Sequence, residues 1–225
     1  MSLKIFDLGL VSFIKAWDFQ KDVFQAVKRA DFPFGIVLCQ HYPVVTMGRS
    51  GQKNNILAEE AVLRSRGIEF YEVERGGDVT YHGPGQLTVY PIFDLHYLKK
   101  DINLFLRNLE QVIIDLLGDF VIRGKKIRGL TGVWIEEAGK NQKIASIGIA
   151  IKNWITFHGL TLNVKKNDLE NFSLIRPCGL DIKMTSLESL LGRDIDLDDI
   201  KQRLVGKFKE ELNDQSRFAG VRRGD

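Results

Sequence analysis

Apolar positions recur at helical spacing between Ala16 and Ala30, where Phe19, Val23, Phe24 and Val27 share one face and Pro33 follows the last turn. The spacing predicts a first helix. GIVLCQ (35–40) and VVTMG (44–48) are β-branched runs on either side of His41, Tyr42 and Pro43, and predict two strands around a short connection. Residues Ile56 to Arg66 read as a helix stopped by Gly67, after which IEFYEV alternates as a strand. LTVYPIFDL (87–95) predicts another strand, so the glycine-rich stretch RGGDVTYHGPGQ (75–86) is expected to be a loop between two strands. Asp101 is placed to cap a helix from Ile102 to Leu117, with Phe105, Leu109, Val112, Ile113 and Leu116 on one stripe and Gly118 at its end.

Three strand-like runs follow, TGVWIEE, QKIASIGIAI and WITFHGLTLNV, separated by turn-forming AGKN and Lys152-Asn153, and they predict an antiparallel meander. A last helix from Leu197 to Leu212 places Leu197, Ile200, Leu204, Phe208 and Leu212 together, and the polar residues 213–225 read as a flexible tail. Helices and strands mix without strict βαβ alternation. The expected class is α+β, with mixed, largely antiparallel sheets packed with helices in a single domain over 1–225.

At 225 residues and 44% hydrophobic content the chain can bury a sizeable core. Its 32 basic and 29 acidic residues nearly cancel to +3 and are interspersed, which argues against a nucleic-acid surface. Arg123, Lys125, Lys126 and Arg128 form one local basic cluster, either a solvated turn or a docking point for an acidic protein. Two cysteines, Cys39 and Cys178, build neither a disulfide framework nor a zinc site, so no metal and a reducing compartment are expected. No apolar run approaches the ~20 residues that span a bilayer, and the amino-terminal residues do not resemble a signal peptide. The expected location is the cytoplasm, with no membrane partner.

The residues of RGGDVTYHGPGQ have few reasons to enter a core. Arg75, Asp78, Thr80, Tyr81, His82 and Gln86 offer hydrogen-bonding groups, while Gly76, Gly77, Gly83 and Gly85 allow main chain to lie against a ligand. The stretch reads as a ligand wall. Cys39 lies in an apolar strand and reads as core packing. Cys178 stands between Pro177 and Gly179, where a rigid turn would keep the sulfur open to a reactant. A cysteine nucleophile needs a neighbour that raises its thiolate fraction, since only a few per cent is ionised at pH 7. Of His41, His82, His96 and His158, His82 and His158 lie in glycine-flanked polar settings. Lys143, a charge at the start of an otherwise apolar strand, is the other helper, or else a strand-edge lysine in solvent.

Taken together, RGGDVTYHGPGQ, KIASIGI (143–149), FHGLTLNV (157–164) and RPCGL (176–180) resemble the octanoyltransferases of lipoate biosynthesis, within the superfamily of biotin and lipoate protein ligases. The likeness runs from about residue 5 to residue 192, and no motif position departs from the pattern. It implies a biotin/lipoate protein ligase-like catalytic domain in which octanoyl passes from octanoyl-acyl carrier protein to Cys178, assisted by Lys143. From there it goes to a lysine of a lipoyl domain, of 2-oxoacid dehydrogenase complexes or of glycine cleavage H protein. The resemblance places the acyl group between Arg75–His82, with Val79 and Tyr81 among them, and the Ser146, Ile147, Gly148 and Gly159, Leu160, Thr161 segments.

Thiol-to-thiol acyl transfer is near thermoneutral and amide formation from a thioester is downhill, so no cofactor is implied. Burying an eight-carbon tail at about 0.8 kcal/mol per methylene contributes on the order of 5 kcal/mol. Val79, Ile147 and Leu160 are candidate walls, and backbone N–H groups near Gly77, His82 or Gly179 are candidate oxyanion donors. Two other readings stay open: an ATP-dependent lipoate or biotin ligase, which needs no cysteine, and an acyl- or carrier-binding module without chemistry.

Overall fold

The structure, a computed structural model, describes residues 2–179 and 182–213, with the Cys178 side chain outside the described part. Strand β1 (Leu3–Val11) leads into helix α1 (Phe13–Lys28), β2 (Phe34–His41) and β3 (Val44–Met47). A 3-10 turn at Lys53–Asn55 precedes helix α2 (Glu60–Ser65), β4 (Glu69–Glu72), β5 (Val79–His82) and β6 (Gln86–Phe93). Helix α3 (Ile102–Gly118) is followed by β7 (Gly124–Ile127), β8 (Leu130–Glu137), β9 (Lys140–Lys152) and β10 (Ile155–Asn163). Two further 3-10 turns, Leu169–Leu174 and Pro177–Gly179, lead to β11 (Lys183–Met184), α4 (Leu187–Leu191) and α5 (Leu197–Asn213).

The large sheet runs β1-β2-β6-β10-β9-β8-β7, with β11 paired to β9, and a second sheet runs β4-β3-β5. Pairing is antiparallel except for β1 with β2, β11 with β9 and β3 with β4. This is the expected α+β class with mixed, largely antiparallel sheets. Strand alternation sorts the side chains. On β2, Phe34, Ile36 and Leu38 enter the main core with the apolar stripes of α3 and α5, while Val37 and Cys39 pack with α1 on the opposite face. Asp101 caps α3 as its position predicts, its carboxylate accepting the Leu104 amide at 3.0 Å.

Several expectations need correction. α1 begins at Phe13 rather than Ala16, because Phe13 is itself buried against Trp17 and Tyr71. α2 covers only part of 56–66, since the Leu57 and Ala58 amides donate to the Leu174 carbonyl and hold that stretch extended. The glycine-rich stretch is not all loop, for its middle, Val79–His82, is β5, which pairs with β3, and Gln86 already opens β6. Strands β1, β7 and β11 were not expected, and the meander extends to β7. Asn213 still belongs to α5, and the expected tail beyond it lies outside the described residues. Among the described residues no helix is long and apolar enough to cross a membrane.

Gly159 sits where β10 crosses β6, and an added methyl would run into the Val89 carbonyl and lie 2.6 Å from the Pro91 ring. We expect Gly159→Ala to destabilise the fold by about 1–3 kcal/mol in urea titration. Gly118→Ala is the control, with nothing within 4 Å of the new methyl, and should hold stability or gain up to about 1 kcal/mol.

Candidate active site

Lys143 is the charged side chain in the apolar run of β9, and it is buried to 5% exposure. Along β9, Ala145 and Ile149 lie in the main core, with Ile147 and Ile151 packed against it. Simple alternation would send Lys143 to the same face. The ladder with β8 shifts register between Val133↔Ala145 and Trp134↔Lys143, leaving Ile144 as an extra residue. This bulge turns Lys143 onto the other face, with Ser146 and Gly148. There its ammonium lies 5.1 Å from the centre of the Trp134 ring, within reach of a cation–π interaction.

The RGGD segment is laid against the same strand. The Gly76 amide donates to the Ile149 carbonyl at 2.8 Å, and a methyl on Gly148 would meet the Gly76 carbonyl at 2.8 Å. Arg75 points inward: its guanidinium donates to the Thr46 carbonyl (2.7 Å), the Thr46 hydroxyl (2.9 Å) and the Gly76 carbonyl (3.0 Å). Asp78 accepts the Gln52 amide at 3.1 Å and the Asn55 side-chain amide at 2.5 Å. The Asn55 carbonyl in turn accepts the Arg176 amide at 2.7 Å. Asp78 and Asn55 therefore link the glycine-rich loop to the Pro177–Gly179 turn that holds Cys178.

Between the two sheets these elements enclose a cavity of about 520 Å³, within the ~300–1,000 Å³ range of small-molecule sites. Arg75, Gly76, Gly77, Asp78, Val79, Thr80 and His82 border it, as do Lys143, Ser146, Ile147, Gly148, Gly159, Leu160 and Thr161. Tyr81 does not: it is fully buried beside Phe172, and its hydroxyl accepts from Asn171 at 3.0 Å. Its ring packs instead in the second core cluster with Val45 and Phe172. Cys178's side chain lies outside the described residues, while Pro177 and Ile182 on either side of it line the cavity. The Gly179 amide donates to the Arg176 carbonyl at 3.0 Å, which withdraws it from the oxyanion donors. Val79 and Leu160, expected as walls, are also core residues.

The lipoyl protein ligase A/B catalytic domain matches residues 13–209. An octanoyltransferase of Parabacteroides distasonis is 39% identical over 93% of this chain and 98% of its own, and one of Solibacter usitatus is 42% identical over 89% of each. The chain belongs to the lipoyl protein ligase A/B catalytic family. A solved bipartite lipoate protein ligase of Thermoplasma acidophilum has the same fold, with a TM-score of 0.72, 15% identity, and 95% and 84% of the two chains covered.

Sequence motifs missed part of the cavity. Thr46, Thr88 and Tyr90 come from strands that read only as apolar runs, and Ile102, Leu106, Leu130 and Trp134 close the end nearer Lys143. Trp134 carried a signal, as a large aromatic in a strand destined to pair with KIASIGI. Of the expected basic cluster, Lys125 pairs with Glu136 and Lys126 donates to the Arg107 carbonyl at 3.0 Å. Exposed Arg128 stands next to Gly129 at the cavity's border.

Three buried histidines stand in or behind the cavity's polar wall. The His82 Nδ1 lies 3.2 Å from the Thr161 hydroxyl, and the His41 Nε2 lies 2.7 Å from the Tyr90 hydroxyl. Burial holds His41 down to about 4, and burial, reinforced by His41 and Arg75, holds His82 well below the usual histidine value. Burial also lowers His158, against the opposing pull of Glu74, whose carboxylate is 3.6 Å from its Nε2. Each is neutral when folded and titrates near 6.5 when unfolded, so below that pH the unfolded chain binds protons that the folded one refuses. Stability is full above pH 6.5 and falls as pH drops toward 4. We expect the unfolding free energy from urea titration to fall from pH 6.5 toward pH 5, approaching about 1.4 kcal/mol per pH unit from His41 alone. His41→Asn should flatten that dependence, and equal slopes for the two proteins would discount His41.

Proposed function

We propose that this chain transfers an octanoyl group from octanoyl-acyl carrier protein to a lysine of a lipoyl domain, through a thioester on Cys178. The acceptors are the lipoyl domains of 2-oxoacid dehydrogenase complexes and glycine cleavage H protein. Support comes first from kinship with octanoyltransferases across most of the chain. The observation that carries the site assignment is the convergence of two elements on one cavity. The Lys143 side chain borders it, and so does the turn whose middle residue is Cys178. Met184, downstream of that cysteine, pairs with Lys143, and the Thr185 amide donates to the Lys143 carbonyl at 3.0 Å. Upstream, Arg176 is held by Asn55. The turn is fastened on both sides to the framework that positions the amine.

In the first step the Cys178 thiolate attacks the carrier thioester, and the carrier leaves as a thiolate that takes up a proton. In the second, the neutral lipoyl-domain amine attacks the enzyme thioester, the C–S bond breaks as the amide forms, the nitrogen gives up a proton to solvent and Cys178 leaves as the thiolate. In this relay the role of Lys143 is to favour the thiolate in both steps, as thiolate rather than thiol is the nucleophile and leaving group. The acyl tail runs along the floor where Ser146↔Thr161 and Gly148↔Gly159 pair across β9 and β10. Small residues there leave room for methylenes, each contributing about 0.8 kcal/mol when buried.

Cys178→Ser and Lys143→Ala should each abolish transfer to a lipoyl domain. Intact-mass analysis of the wild type after incubation with octanoyl-acyl carrier protein should give an octanoyl adduct mapping to residue 178. An adduct that persists in Cys178→Ala would remove the assignment, and transfer supported by ATP and free octanoate alone would favour a ligase.

A further inference from the structure

The bulge that frees Lys143 leaves a second irregularity on the neighbouring strand. Gly132 of β8 adopts φ +124, a conformation that side-chain-bearing residues rarely take. A methyl there would sit 2.5 Å from the Lys143 Cε and 3.2 Å from its Nζ. The lysine side chain therefore lies directly across the Gly132 α-carbon, and the placement of that peptide decides where the amine points.

The Gly132 peptide is held from below by a carboxylate with no exposed surface. Glu110, on the inner side of α3, accepts the Gly132 amide through Oε1 at 3.0 Å. Its Oε2 accepts from the Arg107 guanidinium at 2.6 Å, so both carboxylate oxygens are engaged. Glu110 does not line the cavity. Burying a carboxylate costs several kcal/mol unless it is paired and hydrogen-bonded, and an amide acceptor of nearly the same shape would satisfy Gly132 without that charge.

We propose that Glu110 is a positioning residue, whose Oε1 fixes the Gly132 peptide and through it the direction of the Lys143 amine. The inference rests on the proposed role of Lys143 in acyl transfer. It makes the location of the acceptor oxygen matter, and the charge immaterial. Two single variants separate these: Glu110→Gln keeps the oxygen in place without the charge, and Glu110→Asp keeps the charge but draws the oxygen back by one methylene.

The test measures steady-state transfer from octanoyl-acyl carrier protein to a lipoyl domain, normalised to enzyme that forms the acyl adduct, with thermal melting alongside. We expect Glu110→Gln to keep kcat within about threefold. We expect Glu110→Asp to lose about 10–10²-fold in kcat, the scale of a 1 Å misplacement, with KM for both substrates within about twofold. A merely structural role would lower the melting temperature and the fraction of active enzyme while leaving kcat per active molecule unchanged, and that result overturns the proposal. So does a Glu110→Gln enzyme as slow as Glu110→Asp, or Glu110→Asp at wild-type rate. If Glu110→Asp does not fold, Glu110→Gln decides alone, an intact kcat supporting the proposal and a lost one ending it. Lys143→Ala is run in parallel: if it stays active the assignment of Lys143 fails, whereas an inactive Lys143→Ala with an unaffected Glu110→Asp sinks this inference only.

Discussion

A strand shows alternate residues to opposite faces, and on β9 that constraint conflicts with the chemistry the strand carries. Ala145, Ile147 and Ile149 build the main core, and in register Lys143 would join them, leaving an ammonium among aliphatic side chains at a cost of several kcal/mol. One surplus residue, Ile144, resolves the conflict. The apolar run stays in the core on one side of the bulge, and the lysine emerges on the cavity face on the other. What surrounds the site follows from that kink: the positive φ of Gly132, the aromatic face of Trp134 under the amine, and the two-residue strand β11 that pairs at Gln142 and Lys143.

The second constraint is close approach of main chain to main chain. The Gly76 amide reaches the Ile149 carbonyl only because Gly148 presents no side chain to it. Arg75 and Asp78 then hold the segment down by spending their hydrogen bonds inward, on Thr46, Gln52 and Asn55. The polar residues of the glycine-rich stretch thus work largely as scaffold, and backbone and small side chains form much of the wall that a ligand meets. Such a wall suits an alkyl chain, which asks for shape and dryness rather than for hydrogen bonds. The buried histidines fit the same picture, since they are kept neutral and matched to Thr161 and Tyr90.

How much of this was legible in the sequence depended on how local its cause was. The stripe of α3 and its Asp101 cap, the meander of β8, β9 and β10, and the gathering of the RGG, SIG and HGLT segments around one pocket follow from periodicity and motif, and all are present. Strand β5 was hidden because its pairing partner, β3, is remote in sequence and its own residues resemble a loop. Tyr81 read as a ligand contact, yet its ring packs against Phe172 in the second core cluster, a contact remote in sequence. The shortened α2 has a similar cause, in that Leu174 captures the Leu57 and Ala58 amides across a long sequence gap. Glu110 was illegible: on a helical wheel it is one more charge beside an apolar stripe, and only the packing of α3 under β8 brings it to the Gly132 amide.

The fold alone does not choose between a transferase and an ATP-dependent ligase, because a lipoate protein ligase shares it at 15% identity. A lysine on β9 suits either chemistry, as a thiolate's neighbour or as a partner of an acyl adenylate. The choice rests on the octanoyltransferases that are 39% and 42% identical over most of the chain, and the Pro177–Gly179 turn is in keeping with it. A ligase needs no cysteine there, and nothing in its chemistry calls for that turn to be braced to the lysine. In this chain Asn55 holds the turn on one side, and the pairing of Met184 with Lys143 fastens its continuation on the other. Bracing of that kind restricts how far the turn's backbone can move relative to the amine, as the proposed covalent relay between two protein substrates would require.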